Sequence, residues 1–231
     1  MSWFITGTDT GAGKTFVTCA LLHALSAQGC RAIAMKPIAA GLAEIDGLSI
    51  NEDVAHLRAN MADPPPLSVI NPYALTDPTA PHIAAARAGQ RLELSPIETA
   101  FAQARVAAEL VLVEGVGGWS LPLNESQWLA DIPKALHLPV LMVVGVRLGA
   151  LNHALLTARA VMADGCRMDG WIANILDANY PYAQETIESL RQCLDAPLLG
   201  TLDWNPQSDP RQAGVALENA ARWLSARRSF E

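Results

Sequence analysis

Lysine is nearly missing from this 231-residue chain, which holds only Lys14, Lys36 and Lys134. Every other strongly basic side chain is an arginine, so a lysine in a glycine-rich turn or at a strand end stands out. A basic excess is also missing. The formal net charge is -7, which speaks against a nucleic-acid partner, since phosphates call for a basic face. The four cysteines, Cys19, Cys30, Cys166 and Cys193, form no C-x-x-C pair, so the zinc and redox spacings are absent. They read as small buried hydrophobes in a reducing compartment. The five histidines show no metal-ligand spacing. No basic leader with an apolar stretch opens the chain. The apolar run Leu138–Val146 is far short of the ~20 residues that span a bilayer. These absences predict a cytoplasmic globular protein with neither a membrane nor a nucleic acid as partner.

What is present is a large apolar fraction. The chain is 51% hydrophobic and 17% charged, enough to bury a sizeable core. Its length fits one large domain over 1–231, with no internal repeat and no low-complexity tail. Short apolar runs alternate with longer Ala/Leu-rich segments. The runs Trp3–Thr6, Ala32–Met35, Leu110–Val113, Val140–Gly145, Gly170–Ala173 and Pro197–Gly200 read as strands. Helices are predicted over Lys14–Ala27, Pro96–Ala108, Trp128–Leu136, Leu151–Ala163 and Tyr182–Leu194. Continuous apolar strands separated by helices imply a mostly parallel α/β sheet with helices on both faces. Ligands of such sheets bind beyond the carboxyl ends of the strands. Residues 60–82 interrupt the alternation with six prolines. Proline fixes φ and removes a donor, so this stretch is expected to be neither helix nor central strand.

The strand Trp3–Thr6 runs into Gly7-Thr8-Asp9-Thr10-Gly11-Ala12-Gly13-Lys14-Thr15, and a helical pattern follows. This is the strand, turn and helix start of a P-loop. Glycines let backbone N–H groups wrap phosphate oxygens, and the helix start adds a positive dipole end. Lys14 can reach the β- and γ-phosphates, and Thr15 offers a hydroxyl to Mg²⁺. The spacing departs from the common one: five residues separate Gly7 from Gly13, and Thr8 stands at the expected first glycine. The single α/β domain is therefore expected to have the P-loop nucleotide-binding fold.

Two further strands end in charge. Lys36 follows Ala32–Met35, where a fixed cation could stabilise a transferring phosphoryl group or hold an anionic substrate; a plain surface lysine is the alternative. Glu114 ends Leu110–Val113, the form taken by an Mg²⁺-associated carboxylate; a solvated glutamate in a plain strand-to-loop turn is the alternative. Gly115, Gly117 and Gly118 follow and would let backbone pass close to a ligand. Asp53 in Asn51-Glu52-Asp53 is a weaker case, reading more readily as part of a helix cap than as a metal ligand. Gly149-Ala150-Leu151-Asn152-His153 opens a helix whose free N–H groups could bind an anion, or it is a simple turn. Gly118-Trp119-Ser120-Leu121-Pro122 lacks the second glycine of a hydrolase nucleophile elbow. His82, after Pro81, could line the site, but a capping or packing role is expected by default. The tail residues Val215, Leu217, Ala220, Ala221 and Leu224 form one apolar face. Docking onto the domain fits it better than a membrane surface, because the cluster Arg222, Arg227 and Arg228 is small.

Taken together, the motifs resemble one family, the dethiobiotin synthetases. The loop Gly7–Thr15 with its extra residue is similar to theirs, as is Lys36-Pro37-Ile38-Ala39-Ala40-Gly41. Asn71-Pro72-Tyr73, Pro78–His82, Val113–Gly118, Val144–His153, Gly170–Asn174 and Ala196–Gly200 follow in the family's order. The resemblance implies an ATP- and Mg²⁺-dependent ligase of biotin biosynthesis. In that reaction 7,8-diaminononanoate takes up CO₂ (from bicarbonate), ATP phosphorylates the carbamate, and the second amine closes a cyclic urea. It also implies residue roles. Gly11, Ala12, Gly13, Lys14, Thr15 and Phe16 would hold the phosphates of ATP, bordered by Gly115, Val116 and Gly117. Thr15, Asp53 and Glu114 would hold Mg²⁺. Lys36 would neutralise the carbamate and the developing phosphoryl charge, so Lys14 and Lys36 are the expected catalytic pair. Thr10, Ala40, Gly117 and Gly118 would face the substrate. Asn174 would contact adenine, with Asp203, Trp204 and Asn205 beside it. The family is dimeric, and its substrate carboxylate sits at the partner's helix start, which corresponds to Leu148, Gly149, Ala150, Leu151 and Asn152.

Two positions depart from the family. Ala40 stands where it has a substrate-touching Ser or Thr. A hydrogen bond lost there lowers affinity by about 0.5–1.5 kcal/mol without removing a phosphate or metal group. Gly11 stands where some relatives have Glu. Two other readings remain at this point. A ParA/MinD-type switch shares the fold class but has an additional P-loop lysine, absent from Gly7–Thr10. A related P-loop synthetase acting on another substrate needs similar groups.

Overall fold

The structure, a computed structural model, describes residues 1–205, 207 and 209–227. The chain begins with β1 (Ser2–Gly7), α1 (Lys14–Ala27) and β2 (Ala32–Met35). Short elements follow: β3 (Ile38–Ala40), β4 (Ala43–Ile45), β5 (Leu48–Ile50), α2 (Glu52–Ala59), α3 (Leu67–Ile70), β6 (Tyr73–Leu75) and α4 (Pro81–Arg87). Regular alternation then resumes with α5 (Leu94–Ala107), β7 (Leu110–Glu114), α6 (Asp131–Ala135), β8 (Val140–Val146), α7 (Ala150–Ala163), β9 (Met168–Ile175), α8 (Ala183–Cys193) and β10 (Leu198–Leu202). Two helices close it, α9 (Pro210–Ala216) and α10 (Glu218–Ala226).

All six predicted strands join one six-stranded sheet in the order β10-β9-β8-β1-β7-β2, and every pairing is parallel. Strand β7 is buried along its whole length, as is β8, the pattern of strands covered on both faces. Side chains alternate across the sheet, and the two faces pack different helices. Met142, Val144, Trp171 and Ala173 meet α7 and α8 through Ala154, Ala158, Ile187 and Leu190. Leu141, Val143, Ile172 and Leu202 join the core that includes α1 and α10. Strand β1 lies between β7 and β8, where the strand order turns back on itself. The turn that follows β1 therefore opens at the crevice where open α/β sheets take ligands.

The proline-rich stretch differs from expectation. It contains α3, β6 and the start of α4. Pro81 occupies the first turn of α4, where a missing N–H is no loss. Strand β6 pairs with β3 in a separate two-stranded parallel sheet, so its neighbouring prolines interrupt no central ladder. The segment is an ordered wall built beside the main sheet. Strands β4 and β5 form a third, antiparallel pair.

The tail docks as expected. Leu217, Ala220, Ala221 and Leu224 are fully buried, whereas Val215 is 68% exposed and does not belong to the docked face. Asp209 caps α9, and α10 begins directly after it, so the single face read from sequence is shared by two helices. Arg222 pairs with Glu218 and Arg227 lies over Trp223; Arg228 lies outside the described residues. Among the described residues no helix is long and apolar enough to cross a membrane.

Candidate functional site

The turn after β1 is built to hold backbone N–H groups open. Gly13 caps α1 with φ 86°, a left-handed conformation costly for a residue with a Cβ. A Cβ there would also strike the Asn174 amide. Asn174 is 6% exposed and donates from Nδ2 to the Ala12 carbonyl at 3.0 Å, bracing the turn from beneath. Thr8, at the expected first-glycine position, does work a glycine cannot. Its Oγ1 accepts from the Gly145 N–H at 3.2 Å and its own N–H donates to the Val143 carbonyl at 3.0 Å. The longer loop is thereby fastened to β8. Asp9 adds a second anchor, accepting from the Thr10 N–H at 2.7 Å and pairing with Arg147 at 3.0 Å.

The two singled-out lysines converge on this turn. Lys14 is 6% exposed, and its ammonium donates to the carbonyls of Gly117 at 2.6 Å and Asp9 at 3.3 Å. Burial pulls its pKa below the ordinary lysine value, although Glu114 opposes the shift. Lys36 is 4% exposed and lies between two carboxylates. It donates to Glu114 Oε1 at 2.9 Å and also to Asp53 Oδ2. Burial would lower its pKa, but Glu114 and Asp53 outweigh that and raise it. Burial would likewise raise Asp53, but Lys36 outweighs it and the carboxyl titrates below its usual range. Both groups are charged at neutral pH.

Glu114 is fully buried. Its Oε1 accepts from Thr15 Oγ1 at 2.6 Å as well as from Lys36, while its Oε2 has no hydrogen-bond partner among the described residues. A buried carboxylate oxygen left this way is expensive. With the Thr15 hydroxyl beside it and Asp53 44% exposed at its side chain, the group fits a hard divalent cation. Mg²⁺ is commonly held by one or two carboxylates, with waters and phosphate oxygens completing the shell. No cluster of three or more His, Cys, Asp or Glu residues suited to a metal occurs among the described residues, so an all-protein cage is not what this site offers. The cap alternative for Asp53 is resolved by its neighbour: Asn51 caps α2 and accepts from the Asp53 N–H, leaving the Asp53 carboxylate free to face Lys36.

A cavity of about 680 Å³ collects most of the expected residues. Thr10, Gly11, Gly13, Lys14, Thr15, Phe16, Lys36, Ala40, Asp53, Val116 and Gly117 line it. Ala12, Glu114 and Asn174 are buried and do not line it. Gly115 and Gly118 belong to the adjacent turn after β7 without lining the cavity. Asp203, Trp204 and Asn205 are exposed in the loop after β10, outside this cavity. Leu148, Gly149, Ala150, Leu151 and Asn152 are at the start of α7 and do not line it either; Leu148 is 86% exposed and Ala150 is buried.

Sequence reasoning did not single out other members of the lining. Pro78, Thr79, Ala80 and Pro81 form one wall, joined by Leu121 and Asn51. The prolines carried a motif but no local sign of facing a cavity. Asn51 carried only the sign of a helix cap.

The AAA domain family matches residues 2–212. The solved MinD cell division protein of Aquifex aeolicus is similar in fold, with TM-score 0.60 and 15% identity, covering 97% of each chain. So is a ParA family ATPase of Chlorobium tepidum, with TM-score 0.56, 11% identity and coverage of 98% of this chain and 94% of that one. At such identity the likeness concerns the fold alone. The curated relatives are far nearer in sequence. The ATP-dependent dethiobiotin synthetase BioD of Aromatoleum aromaticum is 48% identical over 216 residues, covering 94% of this chain and 96% of its own. The protein of that name from Xanthomonas axonopodis pv. citri is 50% identical over 208 residues, with coverage of 90% and 93%. With identity of this order running through almost the whole of both chains, and a P-loop, two lysines and a buried carboxylate meeting in one cavity, the chain belongs to the ATP-dependent dethiobiotin synthetase family.

Proposed function

We propose that the chain forms dethiobiotin from 7,8-diaminononanoate, CO₂ and ATP, with Mg²⁺ bound at Thr15, Asp53 and Glu114. The observation that carries the reading is Lys36, a buried ammonium at a strand end, held between Glu114 and Asp53 and lining the same cavity as the P-loop. One substrate amine adds to CO₂ to give a carbamate and releases a proton. A carbamate oxygen then takes the γ-phosphoryl group and ADP leaves. The second amine attacks the carbamoyl carbon and phosphate departs, closing the cyclic urea. The protein's part is to position and to balance charge. The N–H groups from Gly11 to Phe16, with Lys14, hold the phosphates. Lys36 faces the carbamate oxygens and the transferring phosphoryl group, where a fixed cation lowers the barrier without reorganising. Thr10, Ala40, Gly117 and Gly118 face the diamine. Gly115 and Val116 border ATP, and Asn174 with Asp203, Trp204 and Asn205 serves its adenine side. Mg²⁺ would neutralise charge on the phosphate oxygens.

The reading includes a single domain, a cytoplasmic setting and a homodimer in which the α7 start of one copy, Leu148–Asn152, meets the substrate carboxylate of the other. Support for the dimer comes from Leu148, just before α7, and from Leu151 and Met162 on it, all three exposed. Light scattering should give about twice the 24.6 kDa of one chain; a monomer at assay concentration would exclude it.

The direct test is ATP turnover with Mg²⁺ and bicarbonate, with and without the diamine, with dethiobiotin followed by mass spectrometry. ADP release that depends on the diamine, with one dethiobiotin per ADP, is the expected result. Turnover indifferent to the diamine, with no cyclic urea formed, would overturn the reading.

A further inference from the structure

We infer that Asn51 is a positioning residue that fixes the substrate-facing backbone at Ala40–Gly41 relative to the Lys36–Asp53 pair; the inference rests on the proposed reaction. The need for such a device follows from topology. Strand β2 ends at Met35, so Lys36 sits just past the last residue held in the six-stranded sheet. Pro37 has no N–H to offer. Strand β3, which follows, pairs only with β6 in the small separate sheet. The segment 36–41, which carries both the buried ammonium and the lining residue Ala40, therefore leaves the main scaffold.

Two buried asparagines recover it. Asn71 holds the first end: its Nδ2 donates to the Lys36 carbonyl at 2.7 Å, while the Lys36 N–H donates to the Ile70 carbonyl at 2.8 Å. Asn51 holds the far end. It is 9% exposed, lines the cavity, and uses both kinds of side-chain atom at once. Nδ2 donates to the carbonyls of Ala40 at 3.0 Å and Gly41 at 2.9 Å. Oδ1 accepts from the Asp53 N–H at 3.1 Å. One amide thus ties the wall beside the substrate to the residue whose carboxylate pairs with Lys36. Serine, aspartate and asparagine all cap helices well, but among them only asparagine carries the NH₂ that donates to two carbonyls while its oxygen caps. A cap alone does not require asparagine here; the clamp does.

Serine separates the two roles, since it keeps a capping oxygen and loses the amide. Asn51→Ser and Asn51→Ala are both expected to lower kcat/KM for the diamine by about 10- to 100-fold, the scale of a small misplacement of reacting groups. The KM for ATP should move by less than about threefold, because the phosphate-binding turn is anchored separately. Hydrogen exchange of the 38–42 amides should quicken in Asn51→Ser. If Asn51→Ser recovers the wild-type kcat/KM while Asn51→Ala does not, Asn51 is a cap and the inference is overturned. Quickened exchange without a catalytic deficit overturns it as well. Should the wild-type protein make no dethiobiotin, the proposed reaction fails, and unchanged exchange in Asn51→Ser would separately remove the clamp.

Discussion

Replacing Lys36 by alanine is expected to lower turnover by about 10²–10³-fold while ATP affinity changes by less than about threefold. The asymmetry follows from where the two lysines sit. Lys14 is tied to the P-loop through the Asp9 carbonyl, and the proposed phosphate-binding N–H groups all belong to that turn. Lys36 follows a different strand, β2, and among the described residues its ammonium bonds only Glu114 and Asp53. In the proposed reaction its removal deletes charge at the reacting group and leaves the proposed phosphate cradle standing. A stability cost accompanies it, because Glu114 is fully buried, and a buried charge that loses its partner costs about 3–5 kcal/mol. Thermal melting measured beside nucleotide titration separates the two effects. The pH sense is also fixed. The folded pKa of Lys36 is raised, so its contribution to stability is complete below the ordinary lysine value and fades as pH rises through the elevated one. Asp53, whose pKa is lowered, contributes above the ordinary carboxylate value and loses its part as pH falls through the depressed one. Unchanged turnover in Lys36→Ala would remove Lys36 from the reacting group.

Glu114→Gln is expected to weaken the apparent Mg²⁺ affinity by at least about 100-fold, measured as the Mg²⁺ concentration giving half-maximal turnover. Glutamine is close in shape and its carbonyl oxygen can still accept from Thr15 and Lys36. The change falls on the other oxygen, the buried Oε2 that finds no hydrogen-bond partner among the described residues. A donor NH₂ in its place repels a cation. The substitution therefore distinguishes a metal ligand from a simple counter-ion of Lys36. A counter-ion role would lower the melting temperature and leave the Mg²⁺ titration where it was.

Much of the frame was legible in the sequence. The six apolar runs became the six strands of the main sheet, and Lys14–Ala27 has the bounds of α1. Local side-chain periodicity suffices for such elements, since a fully buried parallel strand must be apolar along its length. Of the elements between residues 38 and 87, only the cap that begins α2 at Asn51 was legible. Strands β3 to β6 are three residues each, too short to show a period, and what stabilises them is their pairing with one another. The site was readable where it is contiguous, in Gly7–Thr15, and where a lone charge ends an apolar run, at Lys36 and Glu114.

By itself, then, the sequence determined the α/β alternation, the phosphate turn, and a set of ordered motifs specific enough to indicate the family. Tertiary structure alone decided which residues meet. The bonds that assemble the site join positions 17, 78 and 99 residues apart, distances across which no local pattern runs. The same holds for Thr8 fastening the loop to β8, for the proline segment as a cavity wall, and for Asn51 bonded to Ala40 and Gly41. A side chain's type limits the bonds it can form, but only the packing of distant strands fixes the partner it forms them with.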